Sequence, residues 1–118
     1  MAAEEALSRL WNATESGIPL FMSVTLTIRP ERLDAFTAAL ADVLPHAQAE
    51  DSCRHLNVGR AAADPTVFVL WEGWSDLVEY RDVVLRKDYF QEYLRISEDA
   101  YARPRVVTLL EPFPTTSS

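Results

Sequence analysis

Residues 66–74 read TVFVLWEGW, and Ser75-Asp76 follow directly. This run is short, apolar and rich in β-branched and aromatic residues, which marks a strand rather than a helix. Alternation places Phe68, Leu70, Glu72 and Trp74 on one face and Val67, Val69 and Trp71 on the other. Ser75-Asp76 then caps a helix, with Glu79 in its first turn. Upstream, CRHLNVGR over 53–60 predicts a second strand, with Leu56 and Val58 on one face and His55 and Asn57 on the other. Asp64-Pro65 between the two strands reads as a turn. Further back, LFMSVTLTI over 20–28 alternates in the same way, and Pro30 opens a helix at Glu31. Leu33, Phe36, Leu40, Val43 and Leu44 form the buried stripe of that helix, and Pro45 is expected to end or kink it near Leu44. Downstream, the helix capped by Ser75-Asp76 is expected to break near Arg86-Lys87-Asp88 and resume through Tyr89–Tyr101. RVVTLL over 105–110 then gives the last strand. The order β-α-β-β-α-β predicts a ferredoxin-like α+β fold, an antiparallel sheet with the helices on one face. The other face would be left apolar and bare, and a twofold pairing of two sheets into a homodimer would cover it.

The 118 residues suit one domain at 21–112, with an N-terminal extension at 1–20 that holds a short helix over 4–11 and a flexible tail at 113–118. The net charge of −7, with no basic cluster, disfavours nucleic acid and anionic membranes as partners. Cys53 is the sole cysteine, so neither an intrachain disulfide nor a thiolate zinc cage can form. No run approaches the roughly 20 apolar residues of a membrane span. The acidic start MAAEEALSRLWNATES lacks a signal-peptide core, so the expected location is the cytoplasm and the Asn12-Ala13-Thr14 sequon carries no meaning. The 3 glycines, Gly17, Gly59 and Gly73, are scattered and make no phosphate-cradling loop. There is no internal repeat, no His/Asp/Glu cluster at metal spacing and no nucleophile elbow.

Several short motifs fall in a telling order. Glu50-Asp51-Ser52-Cys53 precedes the second strand, Trp71-Glu72-Gly73-Trp74-Ser75-Asp76 ends the third, Asp88-Tyr89-Phe90 sits in the split helix, and Val106–Pro112 closes the chain. Over roughly 22–112 this pattern resembles the antibiotic-biosynthesis monooxygenase family of dimeric α/β barrels. The resemblance implies a small oxygenase that acts on an aromatic polyketide with molecular oxygen. Such enzymes are cofactor-independent or use reduced flavin, and relatives include haem-degrading, signalling and detoxifying proteins. Carried over residue by residue, Trp74 matches the family's strand-end Trp and Tyr80 its Tyr six residues on. Arg95 matches its helix Arg if one residue is inserted. Leu70 stands where quinone-forming members have Asn, and Val83 where many members carry a His, so a haem ligand is missing there.

Each candidate also has a plainer reading. Glu72 on an apolar face would be a desolvated base for a phenol, or a strand-end carboxylate paired with an Arg. Trp74 could stack on a planar ring and offer its indole N–H to a carbonyl, or be core. Tyr80 could donate to a quinone oxygen or sit at a pocket rim. Arg95 could hold a phenolate or a carboxylate, or form a surface ion pair. His55 is a second candidate base, because histidine titrates near neutrality, or a hydrogen-bonded structural residue. Asn57, Leu70 and Phe68 would complete the substrate pocket. His46, at a helix C-terminus, and Cys53 read as structural.

The expectation is therefore an oxygenase that oxidises a polycyclic aromatic polyketide of phenol or quinone type, with C–C cleavage an open variant. Glu72, His55, Trp74 and Tyr80 are its catalytic candidates, and no cofactor is tightly bound. Reduced flavin (FADH2 or FMNH2), if used, arrives as a diffusible co-substrate from a flavin reductase. The rival is a non-catalytic ligand-binding or stress-response module of the same fold, its pocket filled by its own side chains.

Overall fold

A computed structural model describes residues 11–111 and 113. Strands β1 (Leu20–Thr27), β2 (Cys53–Arg60), β3 (Val67–Trp74) and β4 (Val106–Leu109) form one antiparallel sheet in the order β2-β3-β1-β4. Helix α1 (Leu33–Gln48) links β1 to β2. Between β3 and β4 lie α2 (Leu77–Asp82), a 3₁₀ turn (Val84–Arg86) and α3 (Asp88–Ala100). This is the ferredoxin-like β-α-β-β-α-β arrangement, with its second helix split. Of the extension helix expected over 4–11 only Trp11 is among the described residues, and most of the 113–118 tail lies outside them.

Burial alternates along β1 and over most of β3, so one sheet face meets the helices and the other does not. Leu20, Met22, Val24 and Leu26 point inward from β1, opposite Trp74, Glu72, Leu70 and Phe68 of β3. Phe36, Ala39, Leu40 and Val43 close over them from α1, and Phe90, Tyr93 and Ala100 from α3. The outer face carries Phe21, Ser23 and Thr25 beside Val67, Val69 and Trp71.

Helix α1 differs from expectation. It begins with a 3₁₀ turn at Pro30–Arg32 and runs through Pro45 to Gln48. Proline removes one donor, the bond to the Ala41 carbonyl. The final turn persists because Ala47 is buried against the core and the Ala49 N–H bonds back to the Pro45 carbonyl at 3.1 Å. The break in the second helix falls at Val83–Lys87.

Candidate functional site

Between the sheet and the helices lies a cavity of about 580 Å³, within the roughly 300–1,000 Å³ usual for small-molecule sites. Its wall is aliphatic along Val24, Leu40 and Leu70. Polar and aromatic groups flank that stretch: Glu72 and Tyr80 toward the Met22 end of β1, and Arg105 and Tyr101 toward the Leu26 end, with Tyr93 and Ser97 on the α3 side.

Glu72 reaches this wall because it occupies an inward position of β3, opposite Met22 on one side and Leu56 on the other. It is 6% exposed. Burial raises its carboxyl above the ordinary 4.5; the Trp74 hydrogen bond and the charge of Arg105 pull the other way without cancelling the rise. The Trp74 indole N–H donates to Glu72 Oε1 at 3.1 Å. Among the described residues Oε2 has no hydrogen bond, so it keeps its capacity to accept a proton.

Tyr80 is set by α2. The Asp76 side chain caps this helix, accepting from the Val78 and Glu79 N–H groups at 3.0 and 3.3 Å. Tyr80 then lies on Trp74, with ring centroids 4.5 Å apart. Burial, with Glu72 adding to it, pushes its phenol well above the ordinary 10.0. Tyr93 is raised as well, chiefly by burial. Both hydroxyls stay neutral across the physiological range and can serve as hydrogen-bond donors.

Glu72, Tyr80 and Leu70 thus meet in one cavity, with Trp74 directly behind. Trp74 itself is fully buried and does not line the space. Its indole N–H is given to Glu72 rather than presented to a ligand, so it positions the carboxylate instead of stacking on a substrate. Phe68 is core too, packed on Phe36 at 5.1 Å.

His55, Asn57 and Arg95 lie elsewhere. Leu56 and Val58 pair with Glu72 and Leu70, so the residues alternating with them face outward. His55 stacks on Phe21 across Gly73, where a Cβ would come within 2.4 Å of the His55 ring, so only glycine admits this packing. Neither His55 nor Asn57 belongs to the cavity, and His55 is no base for it. Arg95 is exposed on the outer side of α3, bonded to Glu92 of the preceding turn at 2.7 Å. A β-bulge between Cys53 and His55 pairs Cys53 with Trp74 and turns it inward. Burial and the nearby Glu72 push its thiol up, the opposite of a nucleophile.

Arg105, Tyr93 and Ser97 escaped the sequence reading. The signals are there: Arg105 shares its alternation with Val107 and Leu109, and Tyr93 and Ser97 lie four apart on α3. Among the described residues no histidine lines the cavity. Among the described residues no group of His, Cys, Asp and Glu is arranged to hold a metal, and no helix is long and apolar enough to cross a membrane.

Residues 19–95 match the sequence profile of the family described as antibiotic biosynthesis monooxygenase. The fold is similar to that of Rv0793 from Mycobacterium tuberculosis, with a TM-score of 0.72 and 24% identity over 85% of this chain and all of the other. It is also similar to a solved antibiotic biosynthesis monooxygenase, with a TM-score of 0.73 and 20% identity over 80% of this chain and 99% of that one. A conserved protein from Methanosarcina mazei Go1 gives 0.66 and 14% over 80% and 92%. No match is found among curated proteins.

Proposed function

The chain belongs to the antibiotic biosynthesis monooxygenase family, and from that premise we propose that it oxidises a polycyclic aromatic polyketide of phenol type with molecular oxygen. Family membership supports monooxygenase-type chemistry in general; the observation that carries the finer reading is Glu72, a desolvated carboxylate on the wall of a cavity large enough for fused rings.

In this reading a phenol enters the cavity with its hydroxyl toward Glu72. The proton passes from the phenol oxygen to Glu72, whose raised pKa makes it a stronger base than an ordinary carboxylate. The Trp74 N–H holds Oε1 in place, and Tyr80, on the same wall, donates to an oxygen of the ring. The electron-rich anion reduces oxygen. For a phenol with a free para C–H the balance is phenol plus O₂ giving quinone plus water, with one oxygen atom entering the ring and the other leaving with two hydrogens. The substrate supplies all the electrons. Where the reaction instead cleaves a ring, reduced flavin brings additional electrons as a diffusible co-substrate from a separate reductase.

The working unit is a homodimer paired through the outer sheet faces, forming the dimeric α/β barrel. The rival reading, a binding module with a pocket filled by its own side chains, finds no support in a cavity of about 580 Å³. Oxygen uptake with hydroxylated tricyclic polyketides, with and without added FADH2 or FMNH2, tests the proposal. Consumption stoichiometric with quinone, and lost in Glu72→Gln, is expected. Binding of these substrates without any oxygen uptake under either condition would sink it.

A further inference from the structure

The cavity is unevenly charged. Arg105 is the only cation among the described lining residues, against the carboxylates of Glu72 and Glu98. It enters from the residue just before β4, on the strand face it shares with Val107 and Leu109. Arg105 is exposed, so it stands at the mouth rather than in the wall. Among the described residues its guanidinium takes part in no ion pair and no hydrogen bond; the same holds for Arg54, Arg60, Arg86 and Arg103, but of these Arg105 alone lines the cavity.

The plainer role, counter-ion to Glu72, accounts for little. Arg105 is the weakest of the influences on that carboxyl, behind burial and the Trp74 bond, and the net effect on Glu72 is still a rise. Its positive field is therefore available to a ligand. Around it stand Tyr93 and Tyr101, and burial keeps the Tyr93 hydroxyl neutral as a donor. A planar guanidinium with the neutral Tyr93 phenol nearby is suited to a carboxylate or a similarly delocalised oxyanion, which it can bind through two parallel bonds.

We propose that Arg105 holds an anionic oxygen of the substrate at the cavity mouth, so that the molecule presented to Glu72 is a hydrophobic aromatic acid rather than a neutral aromatic. This rests on the reading of the cavity as an aromatic oxidation site and names the substrate class of that site. The aliphatic stretch around Val24 and Leu70 takes the rings, Glu72 on one side faces the reacting hydroxyl, and the acid group points outward to Arg105 on the other, away from the Glu72 charge.

Anthracene-2-carboxylate and anthracene-2-carboxamide have the same shape and differ in charge, so fluorescence titration of the full chain with each at pH 7 separates the effects. The carboxylate is expected to bind about tenfold or more tightly than the amide, the scale of one charge-assisted hydrogen bond, and each probe should displace the other. Arg105→Gln should bring the two affinities within about threefold while leaving the amide unchanged, and Arg105→Lys, which keeps the charge but loses the fork, should fall between. Equal binding of the two probes by the unmodified chain, or a preference that survives in Arg105→Gln, overturns this assignment and leaves the oxidation reading standing. Failure of both probes to bind overturns the two together. Circular dichroism of each variant confirms that the exposed substitution leaves the fold intact.

Discussion

Glu72 and Trp74 act as one unit, two residues apart on the same face of β3, and each has a separable consequence. A buried carboxyl with a raised pKa holds its proton more tightly in the folded chain than in the unfolded one. Folding is therefore unpenalised below the ordinary value of 4.5 and loses stability as pH rises from there through the raised folded value. Glu72→Gln removes this titration, and its amide oxygen can still accept the Trp74 N–H. The melting temperature of the variant, measured relative to the parent, should thus be higher at pH 7 than at pH 4. A difference that stays flat across that interval would show that burial does not raise the Glu72 pKa. The same variant should lose about 10²–10⁴-fold in turnover, the usual worth of a positioned base. Trp74→Phe acts in the opposite direction on the titration. It deletes the donor that lowers the Glu72 pKa, so the rising limb of the pH–rate profile should move to higher pH. The unpaired oxygen and the lost packing should also cost about 1–3 kcal/mol in denaturant unfolding. An unshifted limb would reduce Trp74 to plain core.

At the scale of elements, the cavity depends on a helix too short to stand alone. Helix α2 has six residues and carries Tyr80, and its first turn is held by Asp76. Behind the break, Lys87 and Tyr89 fasten the start of α3 to Glu50 of the α1–β2 turn, at 2.8 and 2.5 Å. Asp76→Ala should cost about 1 kcal/mol, a melting-temperature drop of about 4–8 °C in a domain of this size. If Tyr80 is placed by this cap, KM for the aromatic substrate should rise as well; an unchanged KM would show that Tyr80 is held by Trp74 alone. These local features were legible in the chain: the Ser75-Asp76 cap, the break near Arg86–Asp88 and the inward set of β3 all follow from neighbours in sequence. What depends on contacts between elements was not. His55 and Asn57 alternate correctly with Leu56, but only the pairing of Leu56 with Glu72 decides which set meets the cavity. Pro45 reads as a helix stop because its local cost is visible, while the burial of Ala47 that outweighs it is tertiary. Arg105 lies just before the last motif, at the start of a short strand whose inner face is fixed only by its pairing to β1.

At the scale of the whole molecule, the sheet separates two environments. Its inner face closes a cavity with the helices, and its outer face leaves Trp71 44% exposed, Val106 58% and Leu110 44%. Phe21, Val67 and Val69 extend the same surface, interleaved with Ser23, Thr25 and Thr108 rather than with charges. A surface of this kind is costly to leave in water, and Ser and Thr can be desolvated against another sheet far more cheaply than Lys or Glu. A second copy satisfies the need with no further partner, because a twofold axis brings the same patch to both sides of the contact. Trp71 is the natural anchor, a large ring resting over Gly59, where a Cβ would lie 3.2 Å from the indole. Trp71→Lys should therefore convert the dimer to a monomer at micromolar concentration, and the far-UV circular dichroism should stay unchanged because the residue is not part of the inner core. The cavity offers an internal control: Glu72→Gln, on the opposite face, should leave the sedimentation coefficient at the dimer value. Sedimentation of the unmodified chain as a monomer at that concentration would defeat the pairing outright. A dimer that survives Trp71→Lys would place the contact on some other surface.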